Sequence, residues 1–214
     1  KVKRSKIIPL IFIAPLLVIV SGVANLHSYL TPEYTNAWEA MFIQSALVYS
    51  YYLLPFSMIV VCVMIAGRET GNNGILKMLA LPVSRYALSA AKFCVLLCYL
   101  FMEMAVFFAV FVVAGLIEVS GAGITETLPI IYLLKWCSGL FCTMLPSVAV
   151  MWAITVIFDK PLLSVGLNLL LVIPGVLAAN TPLWIIYPYC YSGYLVSCSL
   201  HDVTSADISN GFQL

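Results

Sequence analysis

Five apolar stretches, each long enough to cross a lipid bilayer as a helix, constrain this chain more than any motif does. They run approximately through residues 7–26, 39–66, 86–117, 130–158 and 161–179. A spanning helix needs about 20 largely apolar residues, so five transmembrane helices are predicted. The apolar residues come in continuous blocks, whereas the strands of a membrane β-barrel alternate in polarity over about ten residues. Charge usage agrees: 63% of the 214 residues are hydrophobic and only 9% are charged, against about 25% charged in a soluble domain. The fold class expected is an all-α integral membrane protein, a helical bundle forming one domain over residues 1–214, without internal repeats or low-complexity segments.

Lysines and arginines orient the bundle. With a cytoplasmic N-terminus, Lys1, Lys3, Arg4, Lys6, Arg68, Lys77, Arg85, Lys92 and Lys160 fall on the inner side and Lys135 alone on the outer side, as the positive-inside rule requires. Glu33, Glu39, Glu118, Glu126, Asp202 and Asp207 then lie outside, which reads either as the complement of that bias or as a surface favouring a cationic ligand. Residues 1–24 also resemble a cleaved signal peptide, but the later spans alternate consistently when this first helix is kept as an anchor. Pro55 and Pro146 each remove a helical donor in mid-span and are the expected kink sites.

Residues 180–200 form a different kind of segment. Trp184, Tyr187, Tyr189, Tyr191 and Tyr194 crowd a stretch broken by Pro182 and Pro188, which suits an interfacial or re-entrant extracytoplasmic cap better than a straight span. Five spans from a cytoplasmic N-terminus leave the far end outside, so a sixth helix is expected at or beyond the C-terminus.

Several chemistries lack their residues. No G-x-x-x-x-G-K-[ST] phosphate loop or H-E-x-x-H motif occurs, and neither His27 nor His201 has a ligand neighbour at metal spacing. The chain is therefore not expected to be an enzyme or to bind a metal or cofactor itself. The seven cysteines include no C-x-x-C pair; those within or near spans read as small packing residues. Cys190 and Cys198 are placed to pair in an oxidising exterior, although nothing in their spacing demands it. A net charge of +1 gives no bias toward nucleic acid.

The informative loop lies between the second and third spans, at residues 67–85. It reads Gly67-Arg68-Glu69-Thr70-Gly71-Asn72-Asn73-Gly74-Ile75-Leu76-Lys77-Met78-Leu79-Ala80-Leu81-Pro82-Val83-Ser84-Arg85. Glycine and asparagine break the second span, a short apolar helix fits 74–81, Pro82 stops it, and Ser84 is placed to cap the third span. That helix is too short to cross a membrane, so it lies on the lipid surface or docks into another protein.

The string Arg68-Glu69 through Gly74, with Leu79-Ala80-Leu81-Pro82-Val83-Ser84-Arg85 and Ala91-Lys92, resembles the first cytoplasmic loop of ABC-2 type transporter permeases. It is most similar to the small permeases of lantibiotic and bacitracin protection (immunity) transporters. The resemblance implies an ABC-2 type, type V exporter-like bundle of six helices per permease. It also implies a second permease subunit and a cytoplasmic ABC ATPase dimer supplied as separate chains, with ATP and Mg on that partner. The coupling role passes by position to Arg68, Glu69, Gly71, Gly74, Ile75, Leu76, Lys77, Met78, Leu79, Leu81, Pro82, Ser84 and Arg85. The chain is then expected in a bacterial plasma membrane, in contact with lipid and an antimicrobial peptide substrate.

Three other readings compete: a membrane sensor or assembly subunit whose loop binds a signalling partner, an ABC-2 exporter of another hydrophobic substrate, and an intramembrane enzyme. The last needs paired acids or a nucleophile with a base, and only Glu103 is available. Glu103 lies about eleven residues beyond Lys92, or about 16 Å into the membrane at the helical rise. An ionisable group at such depth marks a mechanistic or substrate site, or else a hydrogen-bonded tie between helices.

Overall fold

A computed structural model describes residues 7–23, 37–67, 85–121, 127–158 and 160–198. All regular structure among the described residues is helical. The helices are α1 (Ile7–Val23), α2 (Ala37–Val48), α3 (Leu54–Ala66), α4 (Arg85–Gly121), α5 (Ile130–Ile157) and α6 (Pro161–Ala178). Two short 3-10 turns, Pro182–Ile185 and Pro188–Cys190, lead into a helical stretch over 191–198, here α7.

Four helical units are long and apolar enough to cross a membrane: Ala37–Ala66, Tyr86–Gly121, Ile130–Ile157 and Pro161–Ala178. They coincide with four of the five expected windows. The fifth window holds α1, whose 17 described residues rise about 25 Å, the short end of what a span requires. The second of these units runs to Gly121, beyond the expected end at 117. Gly121 follows a last turn in which the Ser120 hydroxyl donates to the Ile117 carbonyl at 2.9 Å, satisfying a terminal acceptor.

The bundle is organised around α3, which touches α1, α4, α5 and α6, while α1 lies chiefly along α4 and α2. Lipid tails are as apolar as the helices, so association in a membrane rests on close packing and interhelical hydrogen bonds rather than on exclusion of water. The packing is aromatic between α2, α4 and α5. Phe42 meets Phe111, Phe107 and Tyr132 edge to face, with centroids 5.4, 6.4 and 6.3 Å away, and Trp38 meets Phe111 at 6.2 Å. Such pairs contribute about 0.5–1.5 kcal/mol each beyond their area.

Gly115 lets α4 approach Trp38 this closely, because a Cβ there would run into the indole ring. Gly115→Val is therefore expected to lower bundle stability by about 1–3 kcal/mol. Thermal unfolding in detergent measures it, and an unshifted midpoint counts against the tight α2–α4 contact.

The two expected kink sites behave differently. Pro55 ends a π-helical turn, Tyr49–Leu53, that joins α2 to α3, with the Leu54 amide donating to the Tyr49 carbonyl. In a strict α-helix the proline ring would strike the carbonyl of the residue four positions back; the wider turn relieves that clash. Pro146 sits inside α5, which remains one continuous α-helix, as do α1 around Pro15 and α6 around Pro174.

The aromatic segment is broken where its prolines stand, but it is not a lid resting on the bundle surface. Its later half is inserted: Tyr189, Cys190, Ser192 and Val196 are buried. Backbone polar groups taken into the bundle require partners. The Pro188 carbonyl accepts from the Ser147 hydroxyl on α5 at 2.6 Å, and the Tyr187 hydroxyl donates to the Leu171 carbonyl on α6. Trp184 and Tyr194 stack at 4.3 Å. All seven cysteines are free thiols, so the open question of a Cys190–Cys198 bridge resolves to none; the Cys190 thiol donates to the Tyr187 carbonyl at 2.9 Å instead.

Candidate functional site

Two regions carry functional expectations, the loop after α3 and the interior around Glu103. Of the loop, Arg68 through Ser84 lie outside the described residues, including the short helix expected at 74–81 and the cap expected at Ser84. Its two ends are described. Gly67 closes α3 with its amide on the Val63 carbonyl at 2.8 Å, and α4 starts at Arg85. The first turns of α4 are held to the last turns of α5. There Trp152 Nε1 donates to the Ser89 hydroxyl at 3.3 Å, and its ring lies 6.4 Å from that of Phe93. The described ends of the loop are thus continuous with α3 on one side and α4 on the other.

Glu103 stands eighteen residues from either end of α4 and is completely buried. Its Oε1 accepts from the Tyr49 hydroxyl at 3.2 Å, and Tyr49 stacks on Phe107 one helical turn along α4, with centroids 4.4 Å apart and planes 16° from parallel. Ser57 on α3 faces the same carboxyl. Its hydroxyl lies 2.9 Å from the Leu54 carbonyl, to which it donates. Glu103 therefore links α4 to the junction of α2 and α3.

A second polar seam joins α5 and α6 and was not anticipated. Ser164 donates to the Thr155 hydroxyl at 2.9 Å, Thr155 donates to the Met151 carbonyl at 2.7 Å, and Asn168 Nδ2 donates to the Ser164 carbonyl at 2.9 Å. All three side chains are buried. Their spacing along α6, Ser164 and Asn168 four apart, was the available signal, since it puts two polar groups on one face of an otherwise apolar span. Among the described residues no three His, Cys, Asp or Glu side chains gather as a metal site requires.

Long apolar helices packed through aromatic rings and buried polar ties define a multi-pass helical membrane protein. The chain belongs to the ABC-2 family of transporter proteins, whose family model, described as "ABC-2 family transporter protein", matches residues 1–175. No curated protein and no solved structure matches it. Membership makes the chain a membrane permease subunit and implies an ABC ATPase as its general partner.

Proposed function

We propose that this permease serves an ATP-driven exporter that removes lantibiotic-like antimicrobial peptides from the membrane of a bacterial cell, giving self-immunity or resistance. The observation that carries the reading is the loop string from Arg68 to Arg85 in a chain of the ABC-2 family. The short apolar helix at 74–81 is the coupling element, docked in the ATPase with Arg68, Glu69 and Arg85 flanking it. The N-terminus is cytoplasmic, which places the loop on the side where ATP is available.

No covalent chemistry is required of this chain. ATP and Mg bind the partner ATPase, whose closure pulls on the docked helix. Because the loop ends are fixed to α3 and α4, the motion passes into the bundle and biases it between arrangements with different affinity for the peptide. A second permease subunit completes the path.

The test is expression with the cognate ATPase and second permease in a sensitive bacterium. Resistance to a lantibiotic-class peptide is expected to rise several-fold, and to vanish when the phosphate-loop lysine of the ATPase is replaced. Unchanged sensitivity at full membrane abundance would overturn the substrate assignment. Persistence of resistance with the dead ATPase would favour a sensor or assembly role.

A further inference from the structure

The π turn Tyr49–Leu53 sits where three parts of the bundle meet. Tyr49, its first residue, is fully buried, stacked on Phe107 and hydrogen-bonded to Glu103 on α4. Tyr51, its third, is half-buried and reaches toward α7, where its hydroxyl shares a 2.9 Å hydrogen bond with that of Ser197. The Tyr51 ring lies directly on Gly193, where a Cβ would collide with it. Ser57, one turn beyond the π segment, faces Glu103. A five-residue irregularity thus holds α4 through one tyrosine and α7 through another.

We propose that this π turn is a hinge between α2 and α3, with Tyr49 as its fixed end and the Tyr51–Ser197 contact as the one that parts when α3 moves. The physical reason begins with Pro55. It denies the helix one backbone donor and forbids tight α-helical closure against the Tyr51 carbonyl, so the turn is already widened. A π turn holds one residue more than an α turn. Moving it or closing it displaces the following helix by about 1.5 Å and turns it by about 100°, at the cost of few backbone bonds.

The two flanks differ in their partners and in where they lead. α2 is locked to α4 by the Trp38 and Phe42 contacts with Phe107 and Phe111, and Tyr49 continues that wall. α3 leads without interruption to Gly67 and the loop. On the far side α7 is a short helix, and Tyr51 meets it with one neutral hydroxyl pair and a ring on a glycine. Along the chain, motion entering through α3 reaches Tyr51 and its single hydrogen bond before it reaches Tyr49. The hinge thus lies between the loop-bearing α3 and the inserted aromatic segment, and α7 is the element released when the Tyr51–Ser197 contact parts. This inference rests on the permease reading for the source of the motion.

The test uses the complete permease with its ATPase in lipid nanodiscs. Tyr51→Cys and Ser197→Cys are combined, with Cys198→Ser to remove the adjacent native thiol, and the pair is joined by a short reducible bis-methanethiosulfonate spacer. Joining is expected to lower the ATP hydrolysis rate of the complex by about tenfold, with recovery on reduction. Equal rates in the joined and reduced states would overturn the hinge.

A second arm needs no ATPase. In the permease alone, Tyr51→Phe keeps the ring on Gly193 and removes only the hydroxyl, so hydrogen exchange at the amides of residues 50–54 should accelerate while α5 stays unchanged. Exchange that is unaltered there, or raised equally throughout the bundle, also overturns the hinge. A permease that retains no ATPase counts against the coupling assignment instead, and the exchange arm still decides the hinge.

Discussion

Leu79→Asp is expected to strip the permease of its ATPase while leaving membrane insertion and abundance unchanged. Burying a leucine side chain contributes about 1.5–3 kcal/mol, and an aspartate in its place adds the desolvation of a charge with no partner. A loss of about 3 kcal/mol weakens Kd about a hundredfold, enough to remove the ATPase during purification and to abolish resistance. A lipid-surface helix uses the same apolar residues, so the second arm is steric. Cysteines at Met78 or Leu79 should crosslink to the ATPase, and Lys77→Ala should do little because a solvated charge contributes little. A Leu79→Asp permease that still holds its ATPase and still confers resistance would sink the coupling assignment.

The second large effect is expected at Glu103, where two substitutions separate two roles. Glu103→Leu deletes the acceptor of the Tyr49 hydroxyl and leaves that hydroxyl buried and unpaired, a cost of about 1–3 kcal/mol. Within a membrane the net value of one interhelical bond falls toward about 0.6 kcal/mol, because the unfolded chain also finds partners. The Tyr49 ring is stacked on Phe107 and cannot easily turn to another acceptor, so the upper end of that range applies. Glu103→Leu should therefore lower the unfolding midpoint and reduce resistance. Glu103→Gln keeps an acceptor oxygen of the same reach and should retain both. Loss of resistance in the Gln variant at undiminished stability would show that the ionised carboxyl itself is required.

The expected spans and the described helices agree because one physical requirement governs both. A helix in lipid satisfies its backbone internally, so an apolar run of sufficient length specifies a span whatever its neighbours are. Residues 39–66, 86–117, 130–158 and 161–179 were legible for that reason, and Pro182 and Pro188 marked where the last described segment breaks. The family was legible in the loop from Arg68 to Arg85, whose glycines, proline and apolar register form an ordered string.

Side-chain partnership was decided by the tertiary structure alone. Glu103 was conspicuous as a carboxyl in a span, but its partner lies 54 positions away on another helix, and no helical period relates the two. Pro55 announced an irregularity without stating its form; the crowding of α2 on α4 and the reach of Tyr51 to Ser197 accompany a π turn rather than a bend. The aromatic residues of 184–194 suggest an interface by composition, yet Tyr189 and Cys190 are buried, held in place by Ser147 and by the close approach of Gly175 to the Tyr189 carbonyl. Apolar length by itself determined which residues form the long helices. Which faces meet, which polar groups pair and where the helix path yields depended on contacts between segments far apart in the chain, because packing and hydrogen bonding in lipid are interactions between helices and not properties of any one of them.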